Sequence, residues 1–173
     1  MMKTITALLS LSLLMPMAAI AADDGSAAAT NNCDELGSKI VLGQKEWVTV
    51  VSSKQRTIAR VDTGATTSSI NAADIKTYQK DGKDMVDFKI KTKDAESDVV
   101  TLPVKRWVHI KQSSTLTASK RPIVSFDIQI GQKTYTTDFD LVDRSHMLDS
   151  ILLGRSFLTH VAVVDVEQQY IQK

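Results

Sequence analysis

The chain has 173 residues, with 21 Lys+Arg against 20 Asp+Glu and a formal net charge of +1. One domain is the default at this length. The even balance gives no basic face for nucleic acid and no polybasic segment for an anionic membrane.

The first segment reads as a targeting signal. Lys3 gives a short positive start, Ala7 to Met17 is apolar with Pro16 near its end, and Ala19-Ile20-Ala21 is a small-x-small cleavage pattern. This predicts a secretory signal peptide over residues 1–21, cut after Ala21 or Ala22. The apolar run is shorter than the ~20 residues that span a bilayer. The expectation is therefore a periplasmic or secreted bacterial protein with no stable membrane insertion after cleavage. Residues 22–39 are rich in Ala, Asn, Asp and Ser, lack hydrophobic periodicity and read as a disordered leader. The single cysteine, Cys33, falls there and cannot build an internal disulfide framework; its disordered flanks make it read as a free thiol, with an intermolecular disulfide as the alternative.

From residue 40 to 173 the pattern is that of one domain, mostly strands. Trp47 to Val51 is a β-type run, Thr57 to Asp62 alternates, and Ser68-Ser69-Ile70 continues after a turn at Gly64. Asn71 to Lys80 reads as one or two helical turns. Met85 to Ile90 has period two. Val99 to Ile110 is apolar, with Pro103 at an edge or bend. Ile123 to Ile130 alternates, Gly131-Gln132 makes a hairpin turn, and Tyr135 to Val142 returns. Ile151-Leu152-Leu153 is a short apolar strand, Arg155 to Thr159 a short helix, and Val161 to Val166 a last strand. Stretches 91–98 and 111–121 are polar and read as loops or hairpin tips. Many short strands with regular turn signals argue a β barrel or sandwich.

Asp62-Thr63-Gly64 is the segment with chemistry in it. Asp62 leaves an apolar strand at a fixed point, Gly64 permits a sharp turn, and the Thr63 hydroxyl can lock the loop. A carboxylate held on a rigid loop is a good general acid or base. Asp, Thr and Gly are also ordinary turn residues, so the tripeptide alone decides nothing. Two features add weight: the later Ile151-Leu152-Leu153-Gly154-Arg155, and the all-β chain between the motifs.

Together these resemble the retropepsin-like aspartic peptidases. The resemblance implies a mainly β, closed barrel with one short helix near the C-terminus. It implies Asp62 as catalytic residue, Thr63, Gly64, Ala65 and Thr66 as the active-site loop, and Leu153, Gly154 and Arg155 as its structural support. Glu46-Trp47-Val48, Ala59 to Ser68, Asp81-Gly82, Arg121 to Val124 and Leu152 to Arg155 occur in an order similar to one bacterial group. That group is often labelled ATP-dependent zinc protease and is associated with ATP-grasp glutamate ligases resembling the ribosomal-protein S6 modification enzyme. The label's chemistry is not in the residues. His109, His146 and His160 are widely spread and form no zinc-ligand spacing, and no phosphate-cradling Gly-rich Lys-Ser/Thr motif occurs. The expectation is no metal and no cofactor.

Aspartic peptidases need two carboxylates sharing a proton, and this chain has one Asp-Thr-Gly. The resemblance therefore implies a homodimer contributing Asp62 twice, an isologous arrangement, acting on a peptide or protein substrate. The alternative is a non-catalytic or weakly active peptide- or partner-binding module on the same fold, working with a ligase or membrane system. Viral retropepsins usually carry an acidic residue where this chain has Thr66, so Arg155 must find another partner, such as backbone carbonyls.

Overall fold

The computed structural model describes residues 37–110 and 119–173. The expected signal peptide, nearly all of the expected leader, Cys33 and most of the 111–121 stretch lie outside the described residues.

Among the described residues, eleven strands and one helical turn follow in order: β1 (Ile40–Leu42), β2 (Lys45–Val50), β3 (Gln55–Val61), β4 (Ser68–Lys80), β5 (Lys83–Ile90), β6 (Val100–Pro103), β7 (Arg106–Ile110), β8 (Ser119–Ile130), β9 (Lys133–Val142), β10 (Ile151–Leu153), α1 (Arg155–Leu158) and β11 (Ala162–Val164). Six of them close a barrel in the order β10-β3-β2-β8-β9-β4. The short β10 is the closing stave. It pairs parallel with β3, Leu153 opposite Val61, and antiparallel with β4, Ile151 opposite Ile70. The expected closed β barrel with one short helix near the C-terminus is the fold.

Period-two patterning explains the closure. In β2 the inward positions are Glu46, Val48 and Val50, all fully buried. Ala59 and Val61 on β3, Ile128 and Ile130 on β8, Phe139 and Leu141 on β9, and Ile151 and Leu153 on β10 join them in one core. Burying each large apolar side chain contributes about 1.5–3 kcal/mol. Phe126 and Phe139 stack with centroids 4.6 Å apart across the β8–β9 pair.

The stretch from Asn71 to Lys80 is strand, not helix. Its first residues are fixed by neighbours: β4 lies beside β9 from Ser68 to Asn71 and beside β10 at Ser69 and Ile70. The remainder leaves the barrel and pairs with β5, with a register shift between Ala73 and Lys76. Asp74 sits in that bulge at φ 52, a region that Asp tolerates better than most residues. From Lys76 onward β4 is mostly exposed on both faces, so it shows no alternation for a sequence reading to detect. The Val99–Ile110 run is two strands. Pro103 ends β6, which pairs with β5 alone as an edge strand, and Val104 N–H then donates to the Asp84 carbonyl at 2.8 Å. Residues 119–121 belong to β8, paired with β7, rather than to a loop.

The C-terminal segment is held by a carboxylate buried inside a strand. Oε1 of Glu46 accepts from the N–H of Gly43 at 2.7 Å and of Ile171 at 3.2 Å, and Oε2 accepts from Gln172 N–H at 3.1 Å. Tyr170 N–H also donates to the Lys45 carbonyl at 2.8 Å. A buried charge survives when its lone pairs are filled in this way. Glu46→Ala leaves these donors unsatisfied and is expected to cost about 3 kcal/mol in urea unfolding, with accelerated amide exchange at Tyr170 to Gln172. A change below about 0.5 kcal/mol would contradict that role.

Candidate active site

The Asp62 loop begins where β3 ends. Asp62 N–H donates to the Leu153 carbonyl at 2.9 Å, so the neighbouring strand fixes the point where the chain departs. The Asp62 carboxylate then folds over its own loop: Oδ1 accepts from Gly64 N–H at 2.9 Å and Ala65 N–H at 3.0 Å. A Cβ at position 64 would lie 3.2 Å from that oxygen, which is why glycine suits the turn. Asp62 is half-buried, while Thr63 and Gly64 are exposed. One carboxylate oxygen is thus fixed by main-chain donors and the group faces an accessible cleft.

Behind the loop lies the segment after β10. Arg155 N–H donates to the Ala65 carbonyl at 2.9 Å and Ser156 N–H to the Thr66 carbonyl at 3.0 Å. The Arg155 guanidinium reaches back over the same turn. Its Nη1 donates to the carbonyls of Thr63 at 3.1 Å and Gly64 at 2.6 Å, and its Nη2 to Thr66 Oγ1 at 3.0 Å. With Thr66 in place of a carboxylate, the arginine fork is therefore used on carbonyls and a hydroxyl. Two serines stitch the joint: Gly154 N–H donates to Ser68 Oγ at 3.0 Å, and Ser68 N–H to Ser156 Oγ at 3.2 Å. Gly154 is enclosed. A Cβ there would meet the Thr67 carbonyl carbon and oxygen at 2.7 Å and the Ala65 oxygen at 3.0 Å. All eight residues singled out from the sequence, Asp62 to Thr66 and Leu153 to Arg155, meet in this one unit.

The cleft beside Asp62 has a volume of about 400 Å³ and is lined by Arg60, Arg144, His146, Met147, Leu148, Asp149 and Leu152. Met147 and Leu148 are exposed apolar side chains. Arg144 is tied down: Nη1 donates to Ser69 Oγ at 2.9 Å and Nε to the Asp149 carbonyl at 3.3 Å. Burial lowers its pKa, and the charges of Asp149, Asp140 and Asp62 oppose that while Arg60 adds to it. Asp140 lies near the same cluster, only 6% exposed. Burial raises its pKa, and Arg121, with Nη1 3.2 Å from Oδ2, opposes the rise. Asp149 Oδ1 takes Lys45 Nζ at 3.1 Å.

Among the described residues no three His, Cys, Asp or Glu side chains converge as metal ligands. His146 lines the cleft, His109 is on β7 and His160 follows α1.

Sequence reasoning missed Ser68, Ser69, Ser156 and Arg144. Ser68 and Ser69 carried a faint signal as small polar residues inside an apolar strand pair. Arg144 lies in the polar segment Asp143-Arg144-Ser145-His146 with no periodicity, and its role exists only in three dimensions.

A closed barrel in which a strand feeds Asp-Thr-Gly, and a second strand backs that loop through Gly-Arg, defines the retropepsin-like class. Over residues 41–173 the chain matches the RimB-like family model, described as retropepsin-like aspartic endopeptidase RimB, and it belongs to that family. It is similar to proteins called "Probable alpha-L-glutamate ligase" from Shewanella pealeana, 27% identical over 136 residues, and Desulfotalea psychrophila, 30% identical over 132 residues. The matches cover 77% and 74% of this chain but only 30% and 28% of those proteins. The chain therefore spans less than a third of these relatives. A crystal structure of a Legionella pneumophila protein of unknown function is similar at a TM-score of 0.67 and 27% identity, covering 78% of this chain and 98% of that one.

Gly154→Ala tests the backing of the loop. Overpacking against backbone is expected to cost about 2–3 kcal/mol, lowering Tm by about 5 °C or more in a thermal melt. An unchanged Tm would show that the loop can move away from the β10–α1 joint freely.

Proposed function

We propose that the chain is one half of an aspartic endopeptidase, in which two copies bring their Asp62 carboxylates together. The observation carrying this reading is the fixing of Asp62 Oδ1 by two main-chain N–H groups on a loop braced by Arg155. Like charges brought close split the two ionisations, so one carboxylate acts as base and its partner as acid. The base takes a proton from water, and that water attacks the scissile carbonyl carbon. The acid delivers its proton to the carbonyl oxygen. Collapse of the tetrahedral adduct breaks the C–N bond as the leaving amine takes up a proton. Residues 40–173 form the peptidase domain. A signal peptide over 1–21 and a leader over 22–39 place it in the periplasm or outside the cell.

A second reading has its own support. The matched relatives named as glutamate ligases carry this region as under a third of their length. A region of that kind could present a ligase with its peptide, binding through the Asp62 cleft without cutting. Arg60 and Arg144, both lining the cleft, suit an anionic chain in either reading.

A peptide library spanning about pH 4 to 7 separates the two readings. The peptidase reading predicts cleavage by the mature protein that survives a chelator and falls at least about a thousandfold in Asp62→Asn, the scale seen when a reacting group is removed. No cleavage at any pH, with peptide binding retained, supports the module. Cleavage abolished by the chelator contradicts the metal-free mechanism.

A further inference from the structure

We propose that the small pocket between Trp47, Ile58 and Leu148 is a specificity subsite, which takes one neutral apolar side chain of a peptide lying in the Asp62 cleft. The inference rests on that cleft holding a peptide, which the peptidase and the binding-module readings share.

The outward faces of β2 and β3 build the floor. The buried positions of β2 are Glu46, Val48 and Val50, so Lys45, Trp47 and Thr49 point away from the core. The matching outward residues of β3 are Arg56, Ile58 and Arg60. Register sets Trp47 opposite Ile58, and Lys45 opposite Arg60. Trp47 and Ile58 are half-buried. Leu148 lines the same pocket from the segment between β9 and β10 and is 72% exposed. Tyr170 of the C-terminal segment packs on Trp47 with ring centroids 5.8 Å apart, which helps to hold the indole in place.

Size and position say what the pocket serves. Its volume is about 70 Å³. Sites for whole small molecules run to about 300–1,000 Å³, so this one is too small for a free ligand and has room for a side chain. The cleft beside Asp62 has about 400 Å³. Leu148 and Asp149 line both, so the occupant of the larger space reaches the smaller one across Leu148. Along β3, Arg60 lines the cleft and Ile58, two residues earlier, lines the pocket. At ~3.3 Å per residue, Ile58 is about 13 Å from Asp62 along the chain. An extended peptide covers that in about four residues, so the selected residue lies away from the scissile bond.

The charges around the pocket do not choose the occupant. Arg56 Cζ lies 4.5 Å from the centre of the Trp47 ring, a cation–π contact. Asp149 is paired with Lys45 at 3.1 Å. Lys93 and Asp94, both exposed, bring opposite signs to the rim. The surface left for a ligand is the apolar one of Ile58, Leu148 and the Trp47 ring. An apolar side chain gains there by leaving water. A charged one gives up its hydration with no dedicated partner.

The test is a positional-scanning peptide library with Leu against Ser at each position. Wild type is expected to prefer Leu about tenfold or more in kcat/KM at one position away from the scissile bond. Ile58→Gln and Leu148→Asn are each expected to cut that preference to about threefold or less, with the preferences at other positions kept, and Leu148→Met to retain it. A second measurement needs no cleavage. The chain has two tryptophans, so Trp107→Phe in an Asp62→Asn background leaves Trp47 as the only one. Its fluorescence is expected to change with the Leu peptide and not with the Ser peptide at equal concentration. A preference unmoved by both pocket variants, a Trp47 signal equal for the two peptides, or no binding at all would overturn the proposal. Cleavage with no such preference overturns it and leaves the peptidase reading standing. A selective Trp47 response in a protein that cuts nothing supports the subsite and counts against the peptidase reading.

Discussion

Everything at this site depends on the three residues of β10 being wedged between β3 and β4. That pairing closes the barrel and at the same time puts the Leu153 carbonyl under Asp62 N–H and Gly154 against the loop. Closure is thus also what aims the carboxylate. A strand this short has little stability of its own, so it is held by both neighbours and by its buried Ile151 and Leu153. The contact is close because Gly154 has no Cβ, and the arginine after it converts the turn's outward carbonyls into a braced surface.

The parts of the fold visible in the sequence were those written locally. Asp62-Thr63-Gly64 and Leu152-Leu153-Gly154-Arg155 are contiguous strings, and the period-two runs of β5, β8 and β9 name their own buried faces. The outer half of β4 is illegible as a strand because exposure on both faces removes the alternation that marks one. Its pairing with β5 is a tertiary fact. Glu46 is more instructive. It falls at the inward phase shared by Val48 and Val50, which places a charge inside the barrel. The pattern held that information, but the backbone donors of Ile171 and Gln172 that satisfy the charge lie 125 and 126 residues away.

The site's electrostatics were the least legible. Arg60 belongs to a motif and Arg144 to a polar segment without periodicity, yet both line the cleft beside Asp62. Their juxtaposition follows from strand register: Arg60 opposite Leu152, Leu152 opposite Ser69, and Arg144 hydrogen-bonded to Ser69. No spacing rule along the chain predicts that row. The Thr66 departure, by contrast, was visible as an amino-acid choice, and its consequence is a changed use of Arg155 rather than the loss of its bracing contacts.

On the proposed mechanism the Asp62 loop is half of a catalytic centre. Subunit exchange between wild type and Asp62→Asn decides whether both halves are needed. If catalysis needs Asp62 from both copies, an equimolar mixture loses about half of its activity per wild-type chain, because mixed dimers are inactive. Activity per wild-type chain that stays constant across all mixing ratios would mean that each chain cuts alone, with no shared pair of Asp62 carboxylates.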